Sequence, residues 1–363
     1  RRGGGLKPVR TESVGLAAQP FTNLPWAEGE PCPSLVYPNV DDWGYLSVKL
    51  DDRAINTVRH HVNSLEDPLL RTMLWHDLWQ MVSDAELPLG EYLQILSANL
   101  EGERNTDVVR SQLANLRRSF DLLHILPQGE HLLVRYRRVF EPMLWRRANE
   151  ERGDKQKTWF DAYVATVSSE RGLARLTAVL RDENSVPGLV PDQQRRWAMI
   201  ARLREFRVPG SGDLLQSERA NDSSSLGKQL ALYAEVIGAD EAGKQQWFAA
   251  ATRNDETYQL SRSRTILRAL YPPSQRYLQA PQAPVMVARL PEFDRERDIQ
   301  FNRYLGRYLV PQLCSRDNVA RLARTLEANP DLNAATHRQL LISHQAEQRC
   351  VALGELIQSS PRG

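Results

Sequence analysis

Histidine, cysteine and arginine are the side chains of this sequence most able to do chemistry, and the histidines decide the most. Two histidines four residues apart on a helix can bind zinc through their imidazoles, and a glutamate directly after the first can act as the general base. None of the seven histidines has this spacing: Glu130 precedes His131, and no second histidine follows four residues later. His337 and His344 share a helical face but lie about 10 Å apart along its axis, too far for one zinc ion. We therefore predict no catalytic and no metal-binding residue in this chain.

The three cysteines are Cys32, Cys314 and Cys350, an odd number at wide spacing and with no C-x-x-C pair. This pattern makes a disulfide framework unexpected and favours buried structural thiols. It predicts a reducing compartment, the cytoplasm. No stretch of about 18 apolar residues occurs, so no membrane span is expected.

Late in the chain, arginines recur on one predicted helix after a proline-rich break. Arg297, Arg303 and Arg307 stand near Arg295 and Asp298. Guanidinium groups can bind carboxylates or carbonyl oxygens, and a solvated helix face with arginine–acid pairs is the simpler interpretation.

The overall charge argues against two classes of partner. Lysine and arginine number 47 against 45 acidic residues, so the formal net charge is only +2. This balance provides no electrostatic basis for binding nucleic acid or an anionic membrane surface. We predict neither partner.

The elements that must position these side chains are predicted to be helices from residue 51 onward. Asp67 and Pro68 give an N-cap and a first helical residue, and Leu70, Leu74 and Leu78 follow at a helical spacing. Similar amphipathic segments, joined by short loops, continue to the longest predicted helix at 333–357. The fold class is therefore mainly α: a HEAT-like α-solenoid, or superhelical bowl, of about 15 helices. Trp75 and Trp79, four residues apart, are expected in its core.

Residues 1–50 are predicted to be a separate extended or β segment. Prolines and glycines oppose helix here, while residues 9–16 and 45–50 have strand-forming composition. An isolated pair of strands is marginal in water, so we expect this segment to pack on the helices or to be poorly ordered. The turn at 41–43 leads into the second strand, or else contacts a further domain.

The junction between the two regions resembles the C-terminal part of the aminopeptidase N family of zinc metallopeptidases. It reads Pro-Asn-x-x-Asp-x-Gly-Tyr, then Leu-x-Asp-Pro-Leu-x-Arg-x-x-x-Trp, and a looser likeness extends over roughly residues 9–357. The matching residues are Pro38, Asn39, Asp42, Gly44, Tyr45, Leu65, Asp67, Pro68, Leu69, Arg71 and Trp75.

The resemblance implies a noncatalytic helical domain that caps the active site of a longer enzyme. That parent would remove N-terminal amino acids from peptides, with zinc held in its own catalytic domains, and this domain would restrict access to peptides. The partners implied are those catalytic domains and, through them, peptide substrates. Because late helices of the family wall the internal cavity, the resemblance makes Arg297, Arg303 and Arg307 candidates for contact with substrate.

A second class of function stays open from the sequence. A stand-alone HEAT-like scaffold would bind a protein or peptide on its concave face and would have no enzymatic parent. An H-E-x-x-H motif encoded upstream would favour the first interpretation, whereas a start codon at this point would favour the scaffold.

Overall fold

The computed structural model describes residues 5–16, 18–182, 185–255 and 258–359, and helices dominate them from residue 52 onward. The mainly α class is confirmed, and no residue of these ranges is assigned to a strand. The α-helices of these ranges are α1 Asp52–His61, α2 Pro68–Ser83, α3 Leu89–Asn99, α4 Thr106–Ile125, α5 Glu130–Glu150, α6 Gly153–Thr166, α7 Glu170–Arg181, α8 Gln193–Glu205, α9 Ser211–Asn221, α10 Ser225–Ile237, α11 Glu241–Thr252, α12 Leu260–Leu270, α13 Arg276–Gln279, α14 Ala283–Ala288, α15 Leu290–Glu296, α16 Ile299–Leu309, α17 Arg316–Ala328 and α18 Ala334–Ser359.

Helices two apart along the chain pack against each other. The contacts run from α2 to α4, then through α6, α8, α10 and α12 to α16 and α18. Intervening helices such as α5, α7, α9 and α11 pack on members of this series. We call α4, α6, α8, α10, α12 and α16 the even layer. Its helices bury apolar stripes against both neighbours, which is how amphipathic helices stack.

The N-terminus of α2 forms as its residue types predict. The Asp67 side chain accepts a hydrogen bond from the Leu69 backbone N–H at 2.9 Å, and Pro68 occupies the first turn. Trp75 is fully buried and meets the ring of Tyr92 edge-on, with 6.1 Å between centroids. Trp79 packs on the same tyrosine, so the prediction that this pair belongs to the core is confirmed.

The last helix, α18, joins the two hydrophobic cores of the described residues. The first core takes most of its residues from 48–234 and adds Cys314, Leu353 and Ile357, and the second extends from Val236 to Leu340. Leu340 of α18 lies in the second core, while Leu353 lies in the first. α18 also contacts α2 and α3, so the series of helix contacts returns to its beginning.

The expectation that no disulfide forms is wrong. Cys314, in the loop before α17, and Cys350, on α18, form a disulfide. The two cysteines are 36 residues apart, and only the tertiary packing of α17 on α18 brings their Cα atoms to 5.1 Å. The carboxylate of Glu347 accepts backbone hydrogen bonds from Leu313 and Ser315, which fixes the loop on either side of Cys314. Cys32 is free and exposed.

Neither of the predicted N-terminal strands forms in the described residues. Residues 45–50 carry no strand assignment and form no ladder with another described segment. Val48 and Leu50 are buried in the first core, whereas Tyr45 and Trp43 are almost completely exposed. Residues 9–16 are irregular and exposed. No helix of the described residues is both long and apolar enough to cross a membrane.

A buried ion pair explains the arginine of the junction motif. Arg71 donates from Nε and Nη2 to the two carboxylate oxygens of Glu103, both at 2.8 Å, and their side chains are 9% and 1% exposed. Burial opposes the charge of Glu103. Hydrogen bonds from Arg71 and from the backbone of Asn105 and Arg104 outweigh that effect and hold its pKa below the usual value.

Replacing Glu103 with glutamine should destabilise the fold, because the Arg71 guanidinium would stay buried without its counter-charge. We expect E103Q to lower the free energy of unfolding by about 3–5 kcal/mol in urea titrations followed by circular dichroism. Glu150→Gln, which breaks the exposed pair with Arg146, is the matched control and should change it by less than about 1 kcal/mol. Equal effects of the two substitutions would contradict this account.

Candidate functional site: a polar surface on the even layer

Charged and aromatic side chains from several helices of the even layer lie close together. They come from α4, α8, α10 and α12, which contact one another in series through α6. Since each helix buries its apolar face against its neighbours, the remaining polar faces form one surface across the layer. The side chains discussed first, called the charged cluster, are Arg117, Asp121, His124, Arg202 and Glu205.

Helix α4 presents the first part of this cluster. Its N-cap is Asn105, whose side chain accepts from the backbone N–H groups of Asp107 and Val108. Leu116 and Phe120 are buried in the first core. Arg117, Asp121 and His124 follow on the other side of the helix at a spacing of four and three residues, which places them on one face.

Helix α8 presents the second part, and its side chains are held firmly. Arg202 donates to the Val167 carbonyl at 2.7 Å and to Glu205 at 2.9 Å, and its guanidinium lies 4.6 Å from the centre of the Phe206 ring. The hydroxyl of Ser274 donates to the other oxygen of Glu205. Arg202 and Glu205 are therefore a fixed pair with little freedom to bind other groups.

Asp121 and His124 are enclosed by protein although solvent still reaches them. Desolvation by the surrounding helices raises the pKa of Asp121 to about 6, against the effect of Arg117 and Arg202, yet 42% of its side chain is accessible. Desolvation likewise lowers the pKa of His124 to about 4, so this imidazole is neutral near pH 7.

A band of arginine and tyrosine side chains continues from the charged cluster across α10, α12 and α16. Arg268 lies over the ring of Tyr233, with 5.1 Å from its guanidinium carbon to the ring centre. One turn earlier, Arg264 lies 5.5 Å from the ring centre of Tyr304 and donates to its hydroxyl at 3.4 Å. Tyr304 stacks in parallel on Tyr308 at 6.5 Å. We call these five residues the arginine–tyrosine strip.

The three arginines predicted from the sequence divide into two groups. Arg297 is 9% exposed; it donates to the backbone carbonyls of Thr252 and Arg253, and its guanidinium lies 3.9 Å from the centre of the Phe301 ring. Its visible contacts are thus internal. Arg303 and Arg307 are exposed on α16, four residues apart, beside the arginine–tyrosine strip.

The guanidinium, carboxylate and phenol groups of this surface can form charge-assisted hydrogen bonds with a ligand. In the described part of the chain, no three histidine, cysteine or acidic side chains lie where they could hold one metal ion. Sequence reasoning missed Asp121, Arg202 and Glu205, because single charges on amphipathic helices look like any solvated face. The spacing of Arg264 from Arg268 and of Tyr304 from Tyr308 was visible, but only the fold places these pairs side by side.

Comparison with known proteins assigns the chain to a family. Residues 35–349 match the family model described as the ERAP1-like C-terminal domain. The chain is also similar to aminopeptidase N of Streptomyces lividans, with 28% identity over 254 residues. This match covers 70% of the present chain but only 29% of that relative, so the chain spans less than a third of its relative's length.

The protonation of Asp121 should be visible near neutral pH. We expect its carboxyl carbon to titrate with a midpoint at about pH 6 in ¹³C NMR, identified by its loss in D121N. Replacing Arg117 with glutamine should move the midpoint higher, because the arginine favours the charged carboxylate.

The stability contribution of Asp121 has a defined sign. Because its pKa in the folded state lies above the ordinary value of 3.8, the native protein binds more protons than the unfolded chain between about pH 3.8 and 6. The free energy of unfolding from this group therefore falls as pH rises through this window, and D121N should lack that fall. A midpoint near pH 4 would refute the enclosed setting.

Proposed function

This chain belongs to the family of ERAP1-like C-terminal domains, and from that premise we propose that it is the noncatalytic C-terminal helical domain of an aminopeptidase N-like zinc aminopeptidase. The observation that carries the proposal is the extent of the two matches. The family model spans most of this chain, while the similar aminopeptidase is mostly made of sequence outside the match. The parent enzyme would remove N-terminal amino acids from peptides.

The proposed parent depends on zinc, and we place that ion in its catalytic domains. The described residues of this chain offer no group of three ligands that would fit it. We therefore assign no step of the peptide hydrolysis to side chains of this domain. Its proposed partners are the parent's own catalytic domains and, through them, peptides.

We propose that this domain caps the active site and restricts access to peptides able to enter. The even layer would form the inner wall of a bowl, because helices on the inner side of a curved stack lie closer to one another than those outside. The enclosed yet accessible Asp121 and His124 support that assignment. Arg303 and Arg307 would line the same cavity, and Arg297 would act there by holding the end of α11 in place.

The N-terminal segment is proposed to meet the preceding domain of the parent. Trp43 and Tyr45 leave 89% and 112% of their reference surface exposed. Large aromatic side chains of this kind are favoured at protein interfaces. Asn39 holds the turn before them, since its side chain accepts from the Gly44 N–H at 2.8 Å and donates to the Gly44 carbonyl. The turn is thus rigid where the two aromatic rings project.

The catalytic part of the proposal is tested with the pure chain. We expect no hydrolysis of an aminoacyl-anilide after incubation with zinc, and less than one equivalent of bound zinc by mass spectrometry of the metal. The full open reading frame should encode H-E-x-x-H upstream of Arg1. Measurable hydrolysis by the isolated chain, or a reading frame without that motif, would contradict the proposal.

The cytoplasm remains our proposed compartment, and the Cys314–Cys350 pair provides its test. A reducing cytosol keeps thiols reduced, whereas oxidising compartments preserve disulfides. The Cys314–Cys350 disulfide of the structure would then be reduced in the native cells, where rapid acid quenching and alkylation would label both cysteines along with Cys32. Recovery of the linked Cys314–Cys350 peptide from these cells would place the protein in an oxidising compartment instead.

A further inference from the structure

We propose that the arginine–tyrosine strip binds acidic segments of peptides, so that this domain favours peptides with glutamate or aspartate beyond their N-terminus. The inference rests on the proposed peptide-binding role of the even layer and adds the chemical class of peptide. Its basis is a set of cations on α12 and α16 that the protein does not neutralise.

The arginines of the strip stand apart from others on the same layer. Arg202 has Glu205 at 2.9 Å, and on the α6 side Arg195 has Asp161 at 2.8 Å. Within the described residues, no carboxylate lies within ion-pair distance of Arg264 or Arg268. Neighbouring Arg303 and Arg307 likewise have no acidic partner there.

The acidic groups facing the strip are few and already engaged. Glu205 influences Tyr233, but it is paired with Arg202 and accepts from Ser274. Asp121 lies 4.0 Å from Arg117. Glu235 on α10 binds Arg219. The side chains around Arg264 and Arg268 therefore leave a local excess of positive charge.

The tyrosine rings prepare the arginines to bind carboxylates. A guanidinium lying on an aromatic face is held in plane by cation–π attraction, and the N–H groups that it does not use within the protein can donate to a ligand. A carboxylate accepts two parallel hydrogen bonds from such an edge. Arg264 and Arg268 lie one helical turn apart on α12, so their Cβ atoms are about 6 Å apart, a distance that neighbouring acidic side chains of an extended peptide can span.

Two sources of carboxylate are possible in a peptide: acidic side chains and the free C-terminus. The arginines of the strip on α12, together with neighbouring Arg303 and Arg307 on α16, offer four cations, whereas a peptide has one terminal carboxylate. The geometry points to side chains along the peptide as the ligand groups, and a peptide with an amidated C-terminus separates the two sources.

Binding of matched fluorescent peptides to the full chain, followed by anisotropy, tests the inference. The three peptides have equal length: one with glutamates and an amidated C-terminus, one with glutamines and an amidated C-terminus, and one with glutamines and a free C-terminus. We expect the glutamate peptide to bind about tenfold more tightly than either glutamine peptide, the gain of one charge-assisted contact. This preference should shrink as salt is raised, because screening weakens exposed charges.

The variant R264Q/R268Q should lose the preference for glutamate while still binding all three peptides. The control R138Q/R171Q removes two exposed arginines from α5 and α7, which lie outside the even layer, and should keep the preference. Thermal unfolding verifies that both variants fold.

The outcomes separate the two proposals. Equal binding of the three peptides by the wild type would overturn the acidic preference and leave the peptide-binding role standing. Tighter binding of the glutamine peptide with a free C-terminus than of the amidated glutamate peptide would also overturn the acidic preference, because it would show recognition of the terminal carboxylate. If R138Q/R171Q lost the preference for the glutamate peptide and R264Q/R268Q kept it, the strip would not be the binding site, and the inference would be wrong. Failure of every peptide to bind would overturn the inference together with the peptide-binding role.

Discussion

The return of α18 to the first helices is the constraint on which the rest of this structure depends. Leu340 at one end of α18 completes the second core, and Leu353 and Ile357 at the other end complete the first. The Cys314–Cys350 link and the Glu347 carboxylate attach the preceding loop to the same helix. The helices between are therefore held in one series of contacts, and their polar faces stay aligned.

This alignment produces the features of the polar surface. Charged side chains of α4 and α8 would be fully solvated on isolated helices. Here the two helices lie close enough to desolvate them, and this desolvation raises the pKa of Asp121. On α12, Arg264 and Arg268 contact the rings of Tyr304 and Tyr233 and have no acidic partner among the described residues. The surface therefore has paired charges at its α4 and α8 end and unpaired positive charges at its α12 end. A ligand crossing it would meet both environments.

The sequence predicted the helical body well, because its signals are local. Asp67, Pro68 and the leucines after them specify α2, and the long helical segment predicted at 333–357 corresponds to α18. The disulfide could not be predicted, since 36 intervening residues must fold before Cys314 meets Cys350. The strand predicted at 45–50 does not form for a related reason: its composition suits a sheet, but strand pairing is a tertiary property, and Val48 and Leu50 instead pack in the first helical core. Arg297 looked like its exposed neighbours because burial is a tertiary property.

The placement of α18 also has a consequence for biosynthesis. Apolar side chains of α2 and α4 belong to a core whose last members, Leu353 and Ile357, are translated nearly three hundred residues after α2 begins. An open array of helical repeats can consolidate from its first repeat while the ribosome is still adding others. Here the nascent chain must keep part of its first core uncovered until Leu353 and Ile357 have been translated. The packing of one helix therefore sets how long apolar surface stays exposed during elongation, and such exposure favours aggregation.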